Sequence, residues 1–126
     1  MKDRELLDIA REAAKNAYVP YSHFPVGAAL ECMDGTVFTG CNVENAALGS
    51  TNCAERTAFV KAVSEGKREF RRIAISGEGA NYCLPCGACR QFMHEFAPSM
   101  EVLCTRGDGR YVSYRLDQLM PYPFEL

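Results

Sequence analysis

Tryptophan is absent from this sequence, histidine occurs only twice, and neither sign of charge is in strong excess, since the formal net charge is -2. A nucleic-acid-binding domain carries a clustered basic surface, which this composition does not supply. No apolar run approaches the ~20 residues of a membrane-spanning helix, and the charged first residues do not form a secretory signal. We therefore expect residues 1–126 to form a single cytoplasmic domain with neither a nucleic-acid nor a membrane partner.

Cysteine, by contrast, is abundant, with seven residues. The odd number and the lack of an export signal argue against a disulfide framework. Cys32, Cys41 and Cys104 lie in apolar or strand-like segments, where we expect small buried core residues. The other four cysteines are clustered, and metal ligation accounts for them better.

Hydrophobic periodicity predicts the order helix, two strands, helix, strand, helix, two strands. The predicted helices cover residues 3–18, 53–65 (capped by Thr51 or Asn52 and stopped at Gly66), 85–97 and 115–120. The predicted strands cover residues 26–32, 36–40, 71–76, 101–104 and 111–114, with loops at 42–52 and 77–84 and an irregular tail at 121–126. Strands joined through helices imply parallel neighbours, whereas the hairpin is antiparallel. The expected fold is α/β, a three-layer α/β/α sandwich with one mixed sheet of about five strands.

Three cysteines fall at the predicted helix starts. Cys53 opens the second helix, while Cys86 and Cys89 lie at i and i+3 in the first turn of the third, so both of their sulfurs share one face. Three thiolates leave the fourth position of a tetrahedral zinc open, which is typical of a catalytic rather than a structural zinc. Glu55, two residues after Cys53, supplies a proton acceptor for a water at that position.

Two alternatives remain open for these thiols. Cys83 continues the spacing of Cys86 and Cys89 and offers a fourth ligand for a closed, structural zinc. The C-x-x-C pair is also compatible with thioredoxin-like redox chemistry. The histidines do not fit the metal spacing: we expect His23 in a solvent-facing loop and His94 on the outer part of a helix.

A catalytic zinc site of this kind also needs positive charge to offset its thiolates. Three thiolates on a divalent zinc give a net charge of −1, which weakens the polarisation of water. Two helix N-termini offset part of it. Arg56 and Arg90 each follow a key residue and are both candidates to donate hydrogen bonds to the thiolates. We predict that Arg56 does so at Cys53 or Cys86.

Four segments, taken together in their order along the chain, resemble the motifs of the small, homotetrameric, zinc-dependent cytidine deaminases. Two of them match the zinc-binding signature of zinc deaminases. The four segments read Val-Pro-Tyr-Ser-His-Phe-Pro-Val-Gly-Ala-Ala at 19–29, Asn-Val-Glu-Asn-Ala at 42–46, Cys-Ala-Glu-Arg at 53–56 and Pro-Cys-Gly-Ala-Cys-Arg-Gln at 85–91. The chain departs from the family's usual residues at Leu48, at Leu84 and in the tail around Phe124.

The resemblance implies one zinc ion (Zn²⁺) per subunit and the hydrolysis of cytidine and 2′-deoxycytidine to uridine and 2′-deoxyuridine, with release of ammonia, in pyrimidine salvage. Zinc lowers the pKa of a water to about 7, and Glu55 moves the protons as that water attacks C4 of the base. Other cytosine-bearing substrates are rivals within the enzymes, although Glu44 would repel a phosphorylated sugar. A non-catalytic zinc-stabilised binding module is the rival outside them.

The resemblance also implies the residues that hold the substrate. Phe24 stacks on the pyrimidine, Asn42 and Glu44 hold the ribose 3′-hydroxyl, and the backbone N–H of Ala54 orients the base. The alternative for Asn42 and Glu44 is a polar loop pair that satisfies its own backbone. Phe124 in the tail would cap the site of a neighbouring subunit in a homotetramer.

Overall fold

The computed structural model describes residues 1–126 and contains one five-stranded sheet in the order β2-β1-β3-β4-β5. The strands are β1 (Val26–Cys32), β2 (Val37–Cys41), β3 (Phe70–Gly77), β4 (Glu101–Thr105) and β5 (Tyr111–Arg115). β3 and β4 pair parallel, and the other three pairs are antiparallel. The predicted mixed sheet of five strands is confirmed.

Two pairs of consecutive strands, β2/β3 and β3/β4, are each joined through a helix, but only one pair is adjacent in the sheet. β3 and β4 are parallel neighbours, as predicted. β2 and β3 also run in the same direction, but β1 lies between them and pairs antiparallel with both, so the prediction of neighbouring strands is wrong for this pair. The more apolar hairpin strand takes the interior place: six of the seven residues of β1 are buried, against one of five in β2.

Four α-helices cover the sheet: α1 (Asp3–Ala13), α2 (Ala54–Ser64), α3 (Gly87–Phe96) and the short α4 (Leu116–Leu119). α1 buries Leu6 and Leu7 on one face of the sheet, against Ala29 and Leu103. α2 and α3 pack on the opposite face, where Phe59 belongs to the larger core. The predicted three-layer sandwich is confirmed. None of the four helices combines the length and the apolar character needed to cross a bilayer.

The first helix ends earlier than predicted. α1 stops at Ala13 and is followed by a 3₁₀ turn at Ala14–Asn16. Tyr18 is extended instead, because its N–H donates to Asn42 O at 3.0 Å and its carbonyl accepts from Glu44 N at 2.9 Å. Pairing with a distant segment thus overrides local helix propensity.

The segment predicted as a loop at 42–52 is partly ordered by backbone pairing. Val43 forms bridges with both Tyr18 and Asn52, and a 3₁₀ turn covers Leu48–Ser50. Cys53 therefore takes the N-cap of α2, and the predicted caps, Thr51 and Asn52, are wrong because Asn52 is held in the bridge. Past the end of α2, Gly66 adopts the predicted left-handed stop, with φ of 90°.

Candidate functional site

Cys53, Cys86 and Cys89 form one cluster in which all three sulfurs lie within 4.8 Å of one another. The Sγ atoms of Cys53 and Cys86 are 4.0 Å apart. Sulfurs bound tetrahedrally to zinc at ~2.3 Å are separated by about 3.8 Å. The cluster therefore fits a zinc ion with only a small inward adjustment, and no histidine belongs to it.

The starts of two helices position these sulfurs. Cys53 is the N-cap of α2, Cys86 is the N-cap of α3, and Cys89 lies in the first turn of α3. Neither N-cap side chain accepts a capping hydrogen bond from a backbone N–H of its helix, so both sulfurs are available to the cluster, beside the partial positive charge of the helix ends. Gly40 lets α2 begin close to β2, since a Cβ at this position would lie 2.3 Å from Ala54 O.

Aromatic packing holds the two helices together below the cluster. The ring centroid of Phe59 on α2 lies 6.2 Å from that of Phe92 and 5.9 Å from that of Phe96, both on α3. Phe59 is fully buried. The helix starts, and with them the three sulfurs, are thus fixed relative to each other by the core.

Glu55 occupies the second position of α2, beside the cluster. Its side chain is only 4% exposed in relative terms. Burial raises the pKa of its carboxyl to about 7, and the negative charge of Cys53 adds to the rise. A carboxyl with this pKa can both accept and release a proton near neutral pH.

The two most buried sulfurs share a proton unequally. A hydrogen bond from Cys89, followed by the contact with Arg56, lowers the pKa of Cys53 to about 5. The same hydrogen bond, together with burial, raises the pKa of Cys89. Cys53 is therefore the more acidic thiol of the pair.

Arg56 makes the predicted contact with a cluster sulfur. Its Nη2 donates to Cys53 Sγ at 3.5 Å and to Thr51 O at 3.1 Å, while its Nε is buried without a partner. No sequence pattern predicted the contact with the Thr51 carbonyl. Arg90 does not contact a thiolate: it donates to the carbonyls of Pro85 and Leu119 at 2.8 and 2.9 Å, so this part of the expectation is wrong.

Cys83 lies outside the three-sulfur cluster. Its N–H donates to Thr105 O at 2.8 Å, and burial raises the pKa of its thiol to about 11. The four-cysteine alternative is therefore not the arrangement observed.

Among the dispersed cysteines, Cys32 and Cys104 are buried in the core as expected, whereas Cys41 is only partly buried because β2 is an edge strand.

Asn42 binds the backbone on both sides of Pro25. Its Nδ2 donates to Phe24 O at 2.9 Å, and its Oδ1 accepts from Val26 N at 2.9 Å. The Phe24 side chain is left 39% exposed. One N–H and one lone pair of the Asn42 amide stay available for another partner.

Glu44 holds the preceding turn. Its Oε1 accepts from the N–H groups of Tyr21 and Ser22, both at 3.0 Å. The Ser22 side chain, followed by these backbone bonds, lowers the pKa of its carboxyl. His23 follows with a φ of 56° and is exposed, as expected. His94 is mostly buried by the tail and lies 3.4 Å from the Glu125 carboxylate. The loop-pair alternative for Asn42 and Glu44 thus describes their present contacts, although Glu44 retains a free oxygen.

Solved structures of cytidine deaminases are similar to this chain over nearly its whole length. The structure is similar to the 1.6 Å crystal structure of cytidine deaminase from Burkholderia pseudomallei, with a TM-score of 0.96 and 47% identity over 98% of this chain and 100% of that one. It is also similar to cytidine deaminase from Mycobacterium tuberculosis, with a TM-score of 0.84 and 38% identity over the full length of both chains.

Sequence comparison agrees. The chain is 47% identical over 125 residues to the cytidine deaminase of Sporosarcina psychrophila, covering 98% of this chain and 92% of the relative. The model of the "cytidine and deoxycytidylate deaminase zinc-binding region" matches residues 1–105, which include all three cluster cysteines. The chain therefore belongs to the cytidine and deoxycytidylate deaminase family.

Proposed function

We propose that this chain hydrolyses cytidine and 2′-deoxycytidine to uridine and 2′-deoxyuridine with release of ammonia. The observation that carries the proposal is the buried carboxyl of Glu55 beside an open cluster of three sulfurs at two helix starts. The family and the relatives, which are named cytidine deaminases, support the same reaction. Residues 1–126 would act as one catalytic domain.

Cys53, Cys86 and Cys89 would hold the zinc ion. The family's zinc-binding region includes them, and their spacing suits a tetrahedral ion with one position free for water. When bound there, zinc supplies a polarising charge that lowers the pKa of a water to about 7. Arg56 would balance the surplus negative charge of the thiolates through its contact with Cys53.

Glu55 would carry the protons between steps. Its carboxylate accepts a proton from the attacking water and delivers it to N3 of the base as the C4–O bond forms. It then accepts the second proton of that oxygen and passes it to the amino group, which leaves as ammonia as the C4–N bond breaks. One carboxyl can serve both steps because each transfer regenerates it, and its burial, which raises its pKa, favours both uptake and release of a proton.

The loop that carries Phe24 would form the substrate side of the site. Phe24 would stack on the pyrimidine, and the backbone N–H of Ala54, which has no partner within α2 because it is the first helical residue, would orient the base. The remaining bonding capacity of Asn42 and Glu44 would hold the ribose 3′-hydroxyl. A site that reads only this hydroxyl accepts ribose and deoxyribose alike.

Self-association and cellular context complete the proposal. Tyr122 and Phe124 are 99% and 70% exposed in a chain end with no regular structure, and such apolar side chains favour burial against another copy. We propose a homotetramer in which Phe124 caps a neighbouring site. Seven unpaired cysteines favour the reducing cytoplasm, where the reaction would serve pyrimidine salvage.

A nucleoside panel tests the function. Zinc content would be measured on the purified protein, and deamination of cytidine, 2′-deoxycytidine and cytidine monophosphate followed by ultraviolet absorbance and ammonia release. We expect both nucleosides to react, the nucleotide to react poorly, and a chelator to abolish turnover until zinc is restored. A zinc-loaded protein that releases no ammonia from any of the three would instead be a non-catalytic zinc module.

A further inference from the structure

Cys83 is a thiol close to the cluster that the metal site does not use. It packs against the larger core, and its backbone is held by Thr105 O at 2.8 Å. The loop that contains it follows Gly77 at the end of β3 and includes Gly79. The Cys83 side chain is only partly buried, and its neighbours show what it packs against.

Gly77 identifies the space that Cys83 fills. A Cβ at Gly77 would lie 2.8 Å from Cys83 Sγ and 2.9 Å from Cys83 Cβ, and 3.2 Å from Phe24 Cζ. Contacts below 3.0 Å do not fit, so the thiol occupies the volume that the missing side chain leaves. Phe24 lies over the same point.

Gly79 bounds the Phe24 ring from a second position. A Cβ at Gly79 would lie 3.2 Å from Cε1 and 3.4 Å from Cζ of Phe24, and it would touch no atom of Cys83. One edge of the ring therefore faces two glycines, and the Cys83 thiol borders the same space at Gly77. Larger side chains at these positions would push the ring outward.

The backbone of Phe24 is fixed independently of this support. Its N–H donates to Ser22 Oγ at 3.1 Å, and its carbonyl accepts from Asn42 Nδ2 at 2.9 Å. With the main chain held at both ends, the remaining freedom of the residue is rotation of its side chain. The surface below the ring thus decides its tilt.

We propose that Gly77, Gly79 and Cys83 form a seat that sets the tilt of the Phe24 ring, and with it the width of the slot for the pyrimidine. They are positioning residues, since they act through Phe24. The inference rests on the proposed function only in that Phe24 stacks on the base.

The test varies the seat without touching the ligands. Gly79→Ala adds one methyl group against Phe24 alone, and Gly77→Ala adds one against both Phe24 and Cys83. The double variant Gly77→Ala/Cys83→Gly adds the methyl group at position 77 and removes the side chain that it would meet at position 83. Gly49→Ala is the control, because a Cβ there meets no atom within 4 Å. The readouts are KM and kcat for cytidine, the Kd for uridine by calorimetry, zinc content and Tm.

A displaced ring weakens stacking, which is worth a substantial part of base binding. We expect Gly79→Ala and Gly77→Ala to raise KM and the uridine Kd about three- to tenfold, with kcat and zinc content little changed. The double variant should recover most of the loss. Gly79→Ala and Gly49→Ala should keep a native Tm.

The Phe24→Ala variant distinguishes a failure of the seat from a failure of the stacking role. If Phe24→Ala weakens uridine binding while Gly79→Ala binds it like the native chain, the seat is refuted and the stacking role stands. If Phe24→Ala itself binds uridine normally, the stacking role and the seat both fail. A loss in Gly77→Ala that the double variant does not recover would exclude Cys83 from the seat.

Discussion

Arg56 is the cationic side chain of α2 that contacts a sulfur of the cluster. Its guanidinium is shared between Cys53 Sγ and the carbonyl of Thr51, which holds it in place, and its pKa is raised by the hydrogen bond to Cys53. A group that stays protonated and close to a thiolate reduces the negative charge at a three-thiolate site. The sequence could predict this contact because i and i+3 share a helix face.

Replacing Arg56 should therefore weaken the metal site. We expect Arg56→Ala to lower zinc affinity and kcat about 10- to 100-fold, as is typical for side chains that support metal ligands. Competition with a zinc chelator and steady-state kinetics measure the two effects. Arg56→Lys, which keeps the charge but not the two-branched donor, should fall between the native chain and Arg56→Ala; zinc affinity unchanged in Arg56→Ala would refute the role.

A pair of cysteine variants separates ligand from neighbour. Cys86→Ser should bind zinc far more weakly, because a hydroxyl replaces a thiolate ligand. Cys83→Ser should retain one zinc per chain, since Cys83 lies outside the cluster. Metal analysis after dialysis measures both, and equal loss in the two variants would restore a four-cysteine site.

At the scale of elements, α1 is tied to the sheet through a buried charge network. Arg72 on β3 donates to Glu31 on β1 at 2.8 Å, and it also donates to the Asp3 carboxylate and to the Met1 carbonyl. The side chains of Arg72 and Glu31 are 10% and 7% exposed. One arginine thus joins two strands to the start of a helix.

Breaking this network should destabilise the fold and spare the chemistry. We expect Arg72→Met to lower the free energy of unfolding by about 3–5 kcal/mol, because the buried Glu31 carboxylate loses its partner at 2.8 Å and keeps only Arg71 at 4.0 Å. Arg71→Met is the matched control: Arg71 is half exposed and 4.0 Å from the same carboxylate, so its loss should cost about 0–1 kcal/mol. Urea unfolding measures both, and equal midpoints would contradict the account.

Local patterns predicted those parts of the fold that depend on local geometry. The helix starts that carry Cys53 and Cys86 follow from periodicity and spacing, and so does the hairpin of β1 and β2. The insertion of β1 between β2 and β3 does not, because strand order depends on pairing between segments that are distant in the chain. Pairing across the chain likewise ended α1 before Tyr18.

The candidate site likewise has parts that depend on local sequence patterns and parts that depend on contacts between distant segments. The cluster and Glu55 lie within short segments, and their proximity could be predicted. The contacts of Asn42 with the Phe24 backbone, and of Cys83 with Gly77, join segments whose approach is decided by the whole sheet, so the sequence presented Gly77 and Gly79 only as loop residues.

For the whole molecule, the capping role proposed for the tail would depend on other copies of the chain. The Gln91 amide donates to Phe124 O at 2.9 Å and accepts from Phe124 N at 3.0 Å, which fixes the tail against α3 while the Phe124 side chain stays exposed. A fixed, exposed aromatic group is preorganised for a partner surface.

Removal of residues 122–126 should raise KM for cytidine several-fold and weaken the tetramer, while the Tm of the remaining core changes little. Phe124→Ala tests the side chain alone and should reproduce most of the KM effect. Kinetics and light scattering measure the outcomes; an unchanged KM in the truncated chain would count against the capping role.

The central claim is that Glu55 moves the protons at a zinc held by Cys53, Cys86 and Cys89. The most direct test is zinc content and cytidine turnover of Glu55→Gln, an isosteric change that cannot accept the proton. The account predicts one zinc per chain, a native Tm and a kcat lowered at least about 10²- to 10⁴-fold. A zinc-loaded Glu55→Gln protein that turns over cytidine at a near-native rate would contradict it.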